Sequence, residues 1–135
     1  MFLHYLNEDE GKAFLELSSL AMKIHDEINE CEEAELESYK EELNLFDYTI
    51  QNKSLEEIIT ILKNSSIEVK RTIIIELIPI LYKDKEIDNE EQLWIENFAK
   101  CINMNKVEVE KLIQFGKDFC DFVEVGLMYI NLKIE

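Results

Sequence analysis

Apolar residues recur along this chain at three- and four-residue spacing between short polar breaks, and that rhythm predicts helices throughout. Phe14, Leu17, Ala21 and Ile24 share one face of a first helix, which Asn7 opens with Glu10 three residues on. Residues 1–6 are apolar enough to pack back on the domain as a lead-in turn. Leu36, Tyr39 and Leu43 mark a second helix, begun by Asn29 with Glu32 and stopped at Asn44. Phe46, Tyr48 and Ile50 read as a compact apolar bridge, a short helical turn. Ser54 with Glu57 opens a third helix carrying Leu55, Ile58, Ile59 and Leu62, and Ser65 with Glu68 opens a fourth.

The fourth holds Ile73, Ile74, Ile75, Leu77, Ile78, Ile80 and Leu81, so it is apolar nearly all round and belongs at the centre. Its β-branched run also suits a strand. Glu76 within it, and its match to an earlier segment, favour helix, with Pro79 bending the helix or tightening its last turn. Asp88 with Glu91 opens a fifth helix, Ile95, Phe98 and Ile102 inward and Trp94 half-buried beside them. Asn105 with Glu108 opens a sixth, with Val109, Leu112, Ile113, Phe115 and Phe119 inward. Residues 120–135 form a helix end or tail. Residues 130–135 alternate with period two, as a frayed helix end or as a strand for another chain.

The pattern occurs twice. At an offset of 59 positions Ile28 meets Ile87, Leu36 meets Ile95, Tyr39 meets Phe98 and Asn44 meets Asn103. The caps Asn29 and Asp88 correspond, as do Glu32 and Glu91, and Phe14 and Met22 correspond to Ile73 and Leu81. Two helical hairpins, residues 13–45 and 72–104, each have one apolar side that neither can bury alone. The expectation is a single all-α domain over residues 1–135, bundle-like, of six to seven helices, its two hairpins related by a pseudo-two-fold axis.

Composition narrows the class. Three glycines and one proline in 135 residues are too few for a turn-rich β protein. A formal net charge of −16 disfavours nucleic-acid phosphate and anionic membranes, and favours cations or a basic protein partner. Residues 26–42 hold nine acids and one lysine, half of that net charge. Three cysteines, at 31, 101 and 120, form no CxxC pair and follow no signal peptide, which predicts a reduced, cytoplasmic protein. Cys101 and Cys120 read as core residues. No run reaches the length of a membrane span, and the oligomeric expectation is a monomer or homodimer.

Candidate chemistry sits in the acidic connections. Asp84, Asp88 and Glu91 can gather oxygen ligands for Ca²⁺ or Mg²⁺, although Asp88 and Glu91 are equally a capping box beside a solvated Asp84. An EF-hand is excluded, because Asn89 stands at its glycine and Ile95 at its last glutamate. His25 with Glu32 makes a softer pair suited to Zn²⁺ or Ni²⁺, the plainer reading being a histidine that complements a helix dipole. Neither histidine follows a Glu by three positions, which excludes a di-metal carboxylate bundle. No phosphate loop, GxSxG elbow or Cys/His dyad is present, so the chain reads as non-enzymatic.

In the second copy, Asp84, Ile87, Asp88 and Glu91 fall at the Asp, aliphatic, cap and Glu positions of a motif typical of the TerB-like family of tellurite-resistance and stress proteins, with Lys85 at its usual Gly. Ile28, Asn29 and Glu32 repeat it, with His25 and Asp26 at the Asp and Gly positions. The chain resembles that family from about Asn7 to Phe119. The resemblance implies an all-helical domain, acidic patches and association with divalent cations, and hence a stress-related binding module. An acidic domain that binds a basic partner without metal, as a nucleic-acid mimic does, is the alternative.

Overall fold

The computed structural model describes residues 1–132, and every regular element among them is helical. After one 3-10 turn, Leu3–Tyr5, come α1 (Glu8–Met22), α2 (Glu30–Glu42), α3 (Leu55–Leu62), α4 (Ile67–Leu81), α5 (Asn89–Cys101) and α6 (Lys106–Ile130). The Ile-rich run is therefore helix, and Pro79 is accommodated inside α4 at an exposed position near its end.

Local chemistry sets the helix starts. Asn7, Asn29, Ser54 and Asp88 each accept a hydrogen bond from the backbone three residues on, and each is bonded in return by the Glu there. The fourth start differs by one residue from expectation. Ser66 is the cap, while the Ser65 hydroxyl donates to Glu10 of α1 at 2.7 Å. At the ends of α2 and α5 the chain turns through Asn44 and Asn103, at φ 58° and 64°, the left-handed region that asparagine tolerates.

The 59-residue offset extends to the element bounds. α1 and α4 are 15 residues each and start and stop at matching positions, as do α2 and α5 at 13 each. Packing groups the elements as α2 and α3 on α1, α5 and α6 on α4, and α1 against α4. Burial supports a helical core of the expected kind, with Phe14, Leu17, Ile73, Ile74, Leu77, Ile78 and Ile95 wholly enclosed. Leu3 is enclosed too, so the lead-in turn does pack back.

Several placements differ from expectation. The connection from α2 to α3 contains no helix but one hydrogen-bonded turn, in which the Tyr48 N–H donates to the Leu45 carbonyl at 3.1 Å, and Phe46 is exposed. It is held instead by Glu16, which is 1% exposed within α1. The Tyr48 hydroxyl donates to Glu16 Oε2 at 2.5 Å, the Gln51 N–H to the same oxygen at 2.8 Å, and the Lys53 N–H to Oε1 at 3.0 Å. Three donors offset the desolvation of that carboxylate. Cys101 is exposed rather than core, because it lies on the outer side of α5; Cys120 is half-buried against the core. Phe115 is 46% exposed, since the face of α6 that meets α4 runs through Val109, Ile113 and Gly116 instead. Trp94 is half-buried and stacks on Phe98 at 6.2 Å. α6 is helical to Ile130, and residues 133–135 of the alternating tail lie outside the described residues.

Candidate functional site

α1 and α4 pack together and end at the same side of the molecule, so the connections that follow them lie next to each other. Between them opens a recess of about 380 Å³. All five residues singled out from the sequence, His25, Glu32, Asp84, Asp88 and Glu91, lie on its walls.

They divide into two groups across the original pairs. His25 joins Asp88 and Glu91, and one ligand-capable atom of each lies within 4.8 Å of the others. His25 Nε2 is 2.6 Å from Asp88 Oδ2, and its Nδ1 is 3.3 Å from Glu90 Oε2. Glu32 belongs elsewhere. Its Oε2 lies 3.4 Å from the Lys83 ammonium, which is also 3.4 Å from Glu35. Asp84 lines the recess outside both groups.

The arrangement is reciprocal. The base of the first connection, His25, reaches the cap of α5, and the base of the second, Lys83, reaches the capping acid of α2. Glu32 and Glu91 are the matching residues of the two boxes, so each capping acid faces a cation from the opposite connection. One of those cations is a permanent ammonium and the other an imidazole that titrates.

Each carboxylate in the His25 group commits one oxygen to the capping box. Asp88 Oδ1 accepts from the Glu91 N–H at 2.8 Å, and Glu91 Oε1 accepts from the Asp88 N–H at 3.1 Å. Oδ2 of Asp88 faces His25 Nε2 instead, and the second oxygen of Glu91 takes no part in the capping box. The hydrogen bond from the Glu91 backbone, followed by the His25 contact, holds the Asp88 carboxyl below its usual range. The hydrogen bond with Asp88 raises the His25 imidazole above its usual value. Partial burial pushes the Glu91 carboxyl up. The Asp88 contact therefore favours the protonated imidazole, with Nε2 of His25 facing Oδ2 of Asp88.

The second connection turns at Lys85, whose φ is 61°. A glycine adopts that conformation without steric cost, which is a physical reason for Gly at this motif position. Lys85 instead extends to α6, where its ammonium meets Glu124 at 2.7 Å. The first connection has no such residue at Asp26, so the two turns differ although the caps behind them agree. The roles of Lys83, Glu35 and Glu90 were not foreseen. A lysine at the edge of the acidic motif was the available signal for the first, and nothing local marked the others. A scan against protein-family models finds no match to this chain, and neither does a search of curated proteins or of solved structures.

Proposed function

We propose that this chain is a non-catalytic acidic binding module that takes a divalent transition-metal ion, of the Zn²⁺ type, between His25, Asp88 and Glu91. The observation that carries the reading is the convergence of one nitrogen and two carboxylate ligands within 4.8 Å. A donor set with imidazole favours Zn²⁺ or Ni²⁺ over Ca²⁺ and Mg²⁺, which prefer oxygen throughout. Tetrahedral coordination at about 2.0–2.1 Å sets ligand atoms about 3.3 Å apart. Entry of the ion then requires the 2.6 Å contact between His25 and Asp88 to open by about 0.7 Å. His25 is exposed and lies outside any helix, so that movement disturbs no packing. The matching position beside Glu32 carries its own ammonium in Lys83, so the reading assigns one ion per chain. The resemblance to TerB-like proteins implies divalent cations in general and does not itself select Zn²⁺. Free thiols at Cys31, Cys101 and Cys120 suit a reducing compartment such as the cytoplasm.

Calorimetric titration of chelator-stripped protein with Zn²⁺ tests the reading. The ion competes with the proton on His25, so binding is expected to release protons and to tighten as pH rises. At free Zn²⁺ of about 100 times Kd the fold gains about 2.7 kcal/mol, visible as a raised Tm. His25→Asn is expected to lose both effects. No heat and no Tm shift at millimolar Zn²⁺ would overturn the reading.

A second reading has one observation behind it. Glu30, Glu33, Glu37 and Glu41 form an exposed row along α2 at helical spacing, and among the described residues Lys40 pairs with Glu37. Such a row suits a basic partner. If the stripped protein ignores Zn²⁺ but binds a lysine-rich peptide in a salt-sensitive way, this reading replaces the first.

A further inference from the structure

α6 outruns the body of the molecule. It lies alongside α4 in the same direction, with Arg71 paired to Glu108 near the start, Gly116 against Ile78, and Tyr82 reaching Asp121 at 3.3 Å just past the end of α4. α4 ends at Leu81, whereas α6 continues to Ile130. Residues 121–130 therefore extend about 15 Å beyond the helix they had been packing on.

The projecting part is more apolar than most of the surface. Val109, Ile113, Gly116 and Cys120 form the face toward the body. The same four-three spacing continues through Val123, Leu127 and Ile130, which lie past the end of α4 and are 42%, 52% and 79% exposed among the described residues. A second row, Phe115, Phe119, Phe122, Gly126 and Tyr129, runs beside it at the spacing of a coiled-coil seam. Phe122 and Tyr129 are 77% and 75% exposed, and a Cβ built on Gly126 meets nothing within 4 Å. Two adjacent apolar rows leave little of this segment polar, a pattern that belongs in an interior.

We propose that the projecting end of α6 pairs with the same segment of a second copy of this chain, in a two-fold, side-by-side contact. Area is the first argument. From Phe122 to Leu132 the exposed side chains present roughly 1,000 Å² of apolar surface, above the 300–600 Å² of the largest patch on an ordinary monomer. Half of it from each copy gives a contact of about 1,000 Å² in total, the size at which specific interfaces begin. Charge is the second. The molecule carries −16 and repels its own copies and anionic membranes, but Glu124 is the one charged residue between 122 and 132, and Lys85 neutralises it. Self-association meets least repulsion there, and a basic partner finds no charge to bind. Self-complementarity is the third, since a two-fold contact sets the apolar row of one copy against the identical row of the other. This surface is separate from the His25 group, and its test does not involve metal.

Sedimentation equilibrium of the full chain, in chelator, decides the matter. The expected mass is twice 16.0 kDa at tens of micromolar protein. Leu127→Asp is expected to weaken the dimer at least tenfold. Gly126→Leu, which meets open space within one chain, is expected to do the same by wedging the two helices apart. Leu127 is exposed and Gly126 has open space beside it in the single chain, so circular dichroism at low concentration should report no loss of helix content or Tm, with Gly126→Leu gaining slightly in helix stability. A monomer throughout, or a dimer that both variants leave intact, overturns the proposal. So does a monomeric chain that instead binds phosphatidylcholine vesicles through Leu127.

Discussion

His25 occupies the midpoint between two acids, Asp88 on one ring nitrogen and Glu90 on the other, so its proton is bound more tightly in the folded chain than in the unfolded one. The stability this contributes is complete below the unfolded pKa near 6.5 and disappears as pH rises through the higher folded value. Asp88 runs the opposite way, contributing above 3.8 and losing its contribution as pH falls through its depressed folded pKa. The pair therefore stabilises the fold between those two folded values. In metal-free protein the Tm advantage of wild type over His25→Asn is expected at pH 6 and should shrink toward zero by pH 9. Saturating Zn²⁺ should reverse that trend, because the metal takes the neutral imidazole. Melting curves of the two proteins at several pH values, with and without metal, read this out. A residue's neighbour is also where sequence reading reaches its limit. His25 and Asp88 are 63 positions apart, and Glu16 meets its loop partners 32 to 37 positions away. No spacing rule connects such pairs, so the sequence pairs His25 with Glu32 of its own connection and carries no signal for the contacts of Glu16.

At the scale of the element, the starts and stops were legible because each depends on groups three or four residues apart. Four capping boxes and two left-handed asparagines follow from side chains that bond the nearest free backbone groups. The contact between elements was less so. The periodicity of α6 identified a helix but could not separate the row that meets α4 from the row beside it, since both are apolar; Phe115 was assigned inward on that account. Gly116 is what distinguishes them. A Cβ there would stand 2.6 Å from Ile78 Cγ1 and 2.7 Å from its Cβ, so the two helices approach more closely than alanine permits. In an open helix Gly→Ala gains about 0.5–1 kcal/mol. At position 116 the overlap with a rigid, branched side chain outweighs that gain, and Gly116→Ala is expected to lower stability by about 1–2 kcal/mol in urea unfolding. Ile78→Ala removes Cγ1 and Cγ2 but leaves the Cβ at 2.7 Å and opens a cavity of its own, so the double variant should stay less stable than wild type, with the two losses less than additive.

For the whole molecule the dominant quantity is the charge of −16 on 135 residues, which opposes compaction whatever any single pair contributes. Ions can stabilise such a chain in two ways, by general screening or by occupying a site, and the two scale differently. Screening follows ionic strength, the Debye length falling from about 10 Å at 0.1 M to about 3 Å at 1 M. Occupation of the His25 group saturates near Kd and depends on the ion's chemistry. Tm is therefore expected to climb smoothly with KCl in wild type and in His25→Asn alike. Micromolar Zn²⁺, which adds almost nothing to ionic strength, should raise Tm only in wild type. Mg²⁺ should follow the KCl curve at matched ionic strength, because its preference for oxygen ligands gives it little use for an imidazole. Equal responses to Zn²⁺ and Mg²⁺ at matched ionic strength would mean that the acidic surface acts as a diffuse cation atmosphere, and that His25 and Asp88 meet only to hold the two connections together.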